Sequence, residues 1–104
     1  MMNIDALAKR FAELGHSTRL RVYHHLVKGG HDGVPVGELQ SKFGVPNSTL
    51  SHHLNRLIKV GLIEQRREGT TLYCVPVYDE LFQMTAFLQE ECCVNECEDT
   101  AKSA

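Results

Sequence analysis

A chain of 104 residues, 42% of them apolar, has room for one domain with a modest core, and small size favours burying further surface by dimerisation. No run of about 18 apolar residues occurs, which excludes a membrane-spanning helix. The net charge of −2 argues at first against nucleic acid, but the charge is unevenly spread. Through residue 75, ten Lys and Arg stand against six Asp and Glu; from residue 76, one Lys stands against seven acids. The first part is therefore net +4 and the second net −6, a basic working region with an acidic tail section kept away from it. Screening over roughly 8 Å makes the local field the relevant one.

Ile4, Leu7, Phe11 and Leu14 recur at helical spacing and predict a first helix ending at Gly15. Ser17 is the expected cap of a second helix, TRLRVYHHLVK, with Leu20, Tyr23, Leu26 and Val27 inward and Gly29-Gly30 as its stop. HDGVP reads as a loop. VGELQSKF follows as a third helix with Val36, Leu39 and Phe43 on one side, ending at Gly44. After the Val45-Pro46 turn, STLSHHLNRLIKV predicts a fourth helix under an Asn47 or Ser48 cap. Two short helices joined by a turn containing Gly form a helix-turn-helix.

The faces of the fourth helix point to its use. Leu50, Leu54, Leu57 and Ile58 make an apolar stripe, while Ser48, His52, Asn55 and Lys59 make the opposite one. Short hydrogen-bonding side chains with a cation suit a recognition helix approaching base edges in a major groove. LIEQRREGTTLYCV then reads as a hairpin whose turn region spans Arg66 to Thr70, a wing offering Arg66 and Arg67 to phosphates or a minor groove. Pro76 is expected to open a last helix over residues 77–94, with Val77, Leu81, Met84 and Leu88 as its stripe. The fold class expected is mainly α with a small β-hairpin, a winged helix-turn-helix over residues 1–94, with residues 95–104 as a flexible tail.

ELGHSTRLRVYHHL, VGELQSKFGVPNSTLSHHLNRLIKVGLI and RREGTTLYCV, in this order and spacing, resemble the ArsR family of small winged-helix repressors over about residues 4 to 93. The resemblance implies a cytoplasmic homodimer that binds operator DNA and releases it when a metal or metalloid binds. It further implies dimer contacts by the first and last helices, here through Leu7, Phe11, Leu14, Leu81, Met84 and Leu88. Positions matching the family's DNA-contacting motif are Ser48, Thr49, Ser51 and His52, with Arg66 and Arg67 in the wing. Two departures stand out. The Cys-Val-Cys inducer motif of many arsenic-responsive relatives is replaced by VPVGELQ, and the Asp and His pairs that zinc-sensing relatives carry on the last helix are missing.

EECCVNEC, residues 90–97, offers an alternative sensing site. The start MMNIDALAKRFAEL is amphipathic, unlike an export signal, so a reducing compartment is expected, where free thiols serve metal or redox chemistry. On an ideal helix, Cys92 and Cys93 stand about 100° apart and Cys97 about 40° beyond Cys93, so all three can face one side. Thiolates select soft ions. A set of three falls short of the four ligands of structural zinc, whereas trivalent arsenic or antimony bonds three thiolates in a pyramid. Arsenic(III) or antimony(III) is the expected inducer, with Cys74 an alternative third ligand and a methylated arsenical satisfied by two thiolates. A thiol redox switch, or a cadmium- or lead-responsive repressor of the same fold, is the alternative. No catalytic residue or catalytic cofactor is expected: no oxyanion cradle of Gly or Arg follows any cysteine, as a small arsenate reductase would require.

Overall fold

Asn3 starts the first helix, its extended backbone placing Oδ1 to accept the Ala6 N–H at 2.9 Å, and α1 runs Ile4–Leu14. The computed structural model describes residues 3–96, so Cys97 and most of the expected tail lie outside the described residues. α2 spans Ser17–Lys28. Its cap is His16, not Ser17: the His16 Nδ1 accepts the Thr18 N–H at 3.2 Å, and Ser17 is the first helical residue.

HDGVP is more than a loop. Val34–Pro35 forms a short strand, β1, paired antiparallel with the outgoing wing strand through Val34↔Cys74 and Pro35↔Tyr73. Gly33 permits this approach. Its φ is 87°, and a Cβ there would stand 3.2 Å from the Tyr73 Cβ and 3.3 Å from the Cys74 carbonyl oxygen. α3 (Val36–Phe43) and α4 (Asn47–Lys59) follow as the helix-turn-helix. β2 (Ile63–Glu68) and β3 (Thr71–Pro76) complete a three-stranded sheet in the order β1-β3-β2. Pro76 closes β3 opposite Ile63 rather than opening the last helix, and α5 begins at Tyr78 and ends at Gln89. The early end has a physical cause: α5 has no basic residue in its last turn, and Glu90 and Glu91 add negative charge to the negative end of the helix dipole.

The core lies between α2, α3, α4 and the sheet. Leu26, Leu39, Leu50, Leu57, Leu62 and Ile63 are fully buried, each contributing about 1.5–3 kcal/mol by leaving water. The stripe expected on α4 is the inward one, with Leu54 buried and Ile58 packed against the core. On α2 the inward face is Val22, Tyr23 and Leu26, while Leu20, expected inside, is 50% exposed.

The helices assigned to a dimer contact need a correction. Leu7 and Met84 are 3% and 1% exposed, so both already sit in the protomer's own core. Leu14 and Leu81 are half-buried against that core. Phe11 and Leu88 remain on the surface, and Ile4, Phe82 and Phe87 join them there. The apolar surface left for a partner is thus carried by α1 and α5, but by a different set of side chains on each.

Candidate nucleic-acid interface and thiol site

Gly44 ends α3 in the left-handed region at φ 62°, returning its N–H to the Gln40 carbonyl at 3.0 Å. Pro46 then takes φ −58° and ψ 151°, and its carbonyl accepts the Leu50 N–H at 2.9 Å. The cap of α4 is therefore Pro46 without a side-chain bond, not Asn47 or Ser48, and both of those enter the helix. With the leucines turned inward, Ser48, Thr49, Ser51, His52, Asn55 and Lys59 are all exposed. His52, Asn55 and Lys59 line a shallow hollow of about 360 Å³ together with Arg56 and Ile58. Hydroxyls, an imidazole and a carboxamide are the groups that read base edges, and an Asn can bond adenine in bidentate fashion.

Long-range polar contacts set the pose of this helix. The Glu13 carboxylate, at the end of α1, accepts both Arg56 Nε at 3.0 Å and Arg56 Nη2 at 2.9 Å. Arg19 Nη2 lies 3.4 Å from the same carboxylate, and Arg19 Nε donates to the Glu13 carbonyl at 2.9 Å. The Arg56 guanidinium holds the Glu13 carboxyl below the usual carboxylate range against the opposing effect of desolvation, with Arg19 adding to the pull.

Arg19 Nη1 also stands 3.2 Å from Nδ1 of His53, a buried residue of α4 itself. An arginine only donates, so Nδ1 accepts and the ring proton sits on Nε2. Burial first, then the neighbouring His16, Arg19 and His52, pushes His53 down, and it is neutral at pH 7. At the other end of α4, Arg10 Nε donates to the Val60 carbonyl at 2.7 Å, while Arg10 Nη1 lies 2.8 Å from the Glu80 carboxylate on α5. One helix, α1, thus clamps the recognition helix at two points and ties it to α5. Glu13, Arg19, Arg56 and Arg10 were missed in the sequence, because their partners lie up to 70 residues away along the chain.

The wing departs from expectation at its arginines. Gly69 and Thr70 form the whole turn, and Gly69 at φ 63° supplies the left-handed first position. Arg66 and Arg67 are therefore strand residues pointing to opposite faces. Arg66 Nη2 donates to the Asp32 carbonyl at 2.6 Å, its Nε meets Glu68 at 2.7 Å, and its guanidinium lies over the Tyr73 ring at 5.5 Å. That side chain, 43% exposed, braces the wing against the loop before β1. Arg67 is exposed and borders a cleft of about 510 Å³ with Thr70 and the start of α3.

At the far end of the chain, Cys92 Sγ and Cys93 Sγ stand 3.5 Å apart in successive tight turns that follow α5. Cys93 holds φ 64°, the single non-glycine residue in the left-handed region among those described, and this bend brings the adjacent thiols to one side. The hydrogen bond that the Cys92 thiol makes to Cys93, then the Cys93 charge, pushes the Cys92 thiol up. Cys74 is elsewhere. It is fully buried in β3 under the Gln65 carboxamide, whose Nε2 lies 3.6 Å from its sulfur, and burial pushes its thiol up. Among the described residues no group of three or more His, Cys, Asp or Glu is arranged to hold a metal ion, so the alternative set of Cys74, Cys92 and Cys93 is not assembled in the protomer. Cys97 lies outside the described residues.

A recognition helix with a hydrogen-bonding outer face, followed by a β wing, defines a winged helix-turn-helix protein of the DNA-binding class. Comparison with known proteins makes the assignment specific. A helix-turn-helix domain family matches residues 14–66. The HTH-type transcriptional regulator MJ1325 of Methanocaldococcus jannaschii is 30% identical over 90 residues, covering 86% of this chain and 99% of that protein. A candidate arsenical resistance operon repressor, ArsR2, of Halobacterium salinarum is 35% identical over 75 residues, 69% of this chain and 62% of that one. The homodimeric winged helix-turn-helix DNA-binding domain Mb0332 of Mycobacterium bovis superposes with a TM-score of 0.68 at 25% identity, covering 92% of this chain and 86% of that one. The chain belongs to the ArsR family of winged-helix transcriptional regulators. No helix among the described residues is long and apolar enough to cross a membrane.

Proposed function

We propose that the protein is a homodimeric repressor that releases operator DNA when trivalent arsenic or antimony binds the thiols that follow α5. The observation carrying this reading is the Cys92–Cys93 pair, Cys92 exposed and Cys93 half-buried, 3.5 Å between sulfurs. Two thiolates on a tetrahedral ion at about 2.3 Å stand about 3.8 Å apart, and the tighter angles of a trigonal pyramid bring them closer, so the pair fits one soft ion. Two thiolates suffice for a methylated arsenical, and Cys97 is the third donor for arsenite or antimonite. Both thiols must lose protons to ligate, so affinity falls as pH falls.

Dimerisation is supported by the exposed Ile4, Phe11, Phe82, Phe87 and Leu88 on α1 and α5, and by the homodimeric state of the Mycobacterium bovis domain. Two α4 helices would then enter major-groove half-sites about 34–36 Å apart, or a multiple of that spacing. Ser48, Thr49, Ser51, His52 and Asn55 read the groove, and Lys59 and Arg67 meet phosphates. Ion capture beyond α5 shifts that helix. The Glu80–Arg10–Val60 contacts then carry the shift to the end of α4. A coupling of about 1–3 kcal/mol gives the loss of DNA affinity.

Operator binding followed by fluorescence anisotropy under reductant tests the switch. Wild type and the single variants Cys74→Ser, Cys92→Ser, Cys93→Ser and Cys97→Ser are titrated with arsenite, methylarsenite and cadmium. Expected are release of the wild type by the arsenicals, retained release in Cys74→Ser, and loss of release with intact DNA affinity in Cys92→Ser and Cys93→Ser. Release of a protein lacking all four thiols would overturn the proposal, and release by peroxide alone would assign the thiols to redox sensing.

A further inference from the structure

The helix α1 has two unlike sides. Taking about 100° per residue, Ile4, Ala8 and Phe11 fall on one side, and Lys9 falls with Glu13 on the other. The apolar side is the surface left for the second protomer, as Ile4 and Phe11 are 62% and 36% exposed. The polar side faces the recognition helix. Lys9, Ala12 and Glu13 of α1 border, with Arg56, Lys59 and Val60, a cleft of about 530 Å³. Arg56 and Lys59 also line the hollow beside His52 and Asn55, so cleft and base-reading face are continuous.

The charge of this cleft is not balanced. Three cations, Lys9, Arg56 and Lys59, border it against the single carboxylate of Glu13. That carboxylate is already engaged by Arg56 on one side and by Arg19, 3.4 Å away, on the other. Neither Lys9 nor Lys59 is in a salt bridge among the described residues. The bidentate pair orients the Arg56 guanidinium in this cleft, so the site presents a planar donor together with the two ammonium groups of Lys9 and Lys59. An anion beside a helix lying in a DNA groove is a backbone phosphate.

We infer that the α1–α4 cleft seats a phosphate of the bound duplex through Lys9, Arg56 and Lys59, which makes α1 a DNA-contacting helix as well as part of the dimer contact. This rests on α4 being the recognition helix of a dimer. A phosphate contact carries no sequence information, so it fixes the position of α4 along the groove and strengthens all duplexes alike. Each protomer contributes one such contact through Lys9.

The test is the salt dependence of binding to two 40-base-pair duplexes, one carrying a site selected from a random library by the wild type and one scrambled. Each phosphate contact contributes about 0.9 to the slope of log K against log salt, so Lys9→Ala in a dimer, with Arg56 and Lys59 still at each cleft, should lower the slope by up to about 1.8. Between 50 and 200 mM salt the variant should then weaken by up to about 12-fold less than the wild type. Lys9→Arg should keep the wild-type slope, and the ratio of selected to scrambled affinity should stay constant in both variants. Circular dichroism melting and sedimentation confirm that fold and dimer are intact. An unchanged slope in Lys9→Ala, or a changed ratio of selected to scrambled affinity, overturns the inference. A wild type that binds neither duplex would instead overturn the reading of α4 itself.

Discussion

Replacing Glu13 by glutamine keeps the size of the side chain and removes a charge that two arginines share. The two contributions differ. Arg56 is about half exposed, with 48% of its side-chain surface accessible, so solvent screens its pair with Glu13 and that pair adds little to stability. Arg19 is 11% exposed, and Glu13 is the carboxylate it meets among the described residues. It keeps the Glu13 carbonyl and His53, and a glutamine oxygen still accepts, so the loss there is about 1 kcal/mol rather than that of a stranded buried ion. That loss, about 1 kcal/mol, lowers Tm by about 4–8 °C for a domain of this size.

The pH dependence has a defined sign. Because the folded-state value of Glu13 lies below its unfolded value near 4.5, its contribution is complete above that value and is lost as pH falls through the folded one. Circular dichroism melts of wild type and Glu13→Gln, at equal protomer concentration because a dimer's Tm depends on it, should differ most at pH 7 and converge as pH falls through the folded-state value of Glu13. Equal melting at pH 7, or a gap that widens in acid, refutes the assignment of Glu13 as the anchor of α4.

Three further outcomes follow from side-chain placement. Asn55→Ala and His52→Ala should each cost about 1–3 kcal/mol in affinity for the selected site but much less for a scrambled duplex, measured by anisotropy at one salt concentration. Arg67→Ala should reduce the salt slope by about 0.9 per protomer, whereas Arg66→Ala should leave the slope nearly unchanged and lower stability by about 1 kcal/mol through the lost bond to the Asp32 carbonyl. Cys74→Ser puts a hydroxyl into the core under Gln65 and should lower stability by about 1–3 kcal/mol in urea melts, while the arsenite response persists.

What could be read along the chain is what local chemistry decides. The α4 faces follow from a period of 3.6 residues within thirteen, and α3 begins and ends where VGELQSKF does. Boundaries moved wherever a neighbour competed for the capping role: His16 displaced Ser17, and Pro46 displaced Asn47. A period also cannot say which neighbour a stripe will meet. Leu7 and Met84 have the spacing of interface residues, yet both are absorbed by the protomer, while Leu20 is left outside. Arg66 and Arg67 are adjacent and chemically identical. Only the strand register, which turns one toward Asp32 and Tyr73 and the other outward, separates brace from contact. The thiol pair was visible as letters, but the left-handed turn at Cys93 that aligns the sulfurs was not.

The position of that thiol pair constrains how any signal reaches the DNA. Cys92 and Cys93 lie beyond the end of α5, outside the apolar core, so an ion bound there does not change packing around Leu39, Leu50 or Leu57. A switch acting from that point therefore works through α5 as a body. α5 is anchored by Met84 in the core and by the Glu80–Arg10 pair, while Phe82, Phe87 and Leu88 stay exposed for the second protomer. In the proposed dimer, repacking of those exposed side chains would change the angle between protomers, and through α1 the spacing of the two α4 helices. A coupling of about 1–3 kcal/mol is the strength of one or two polar contacts such as Arg10 with Glu80 and Val60. The proposed release of DNA thus requires no helix to unfold.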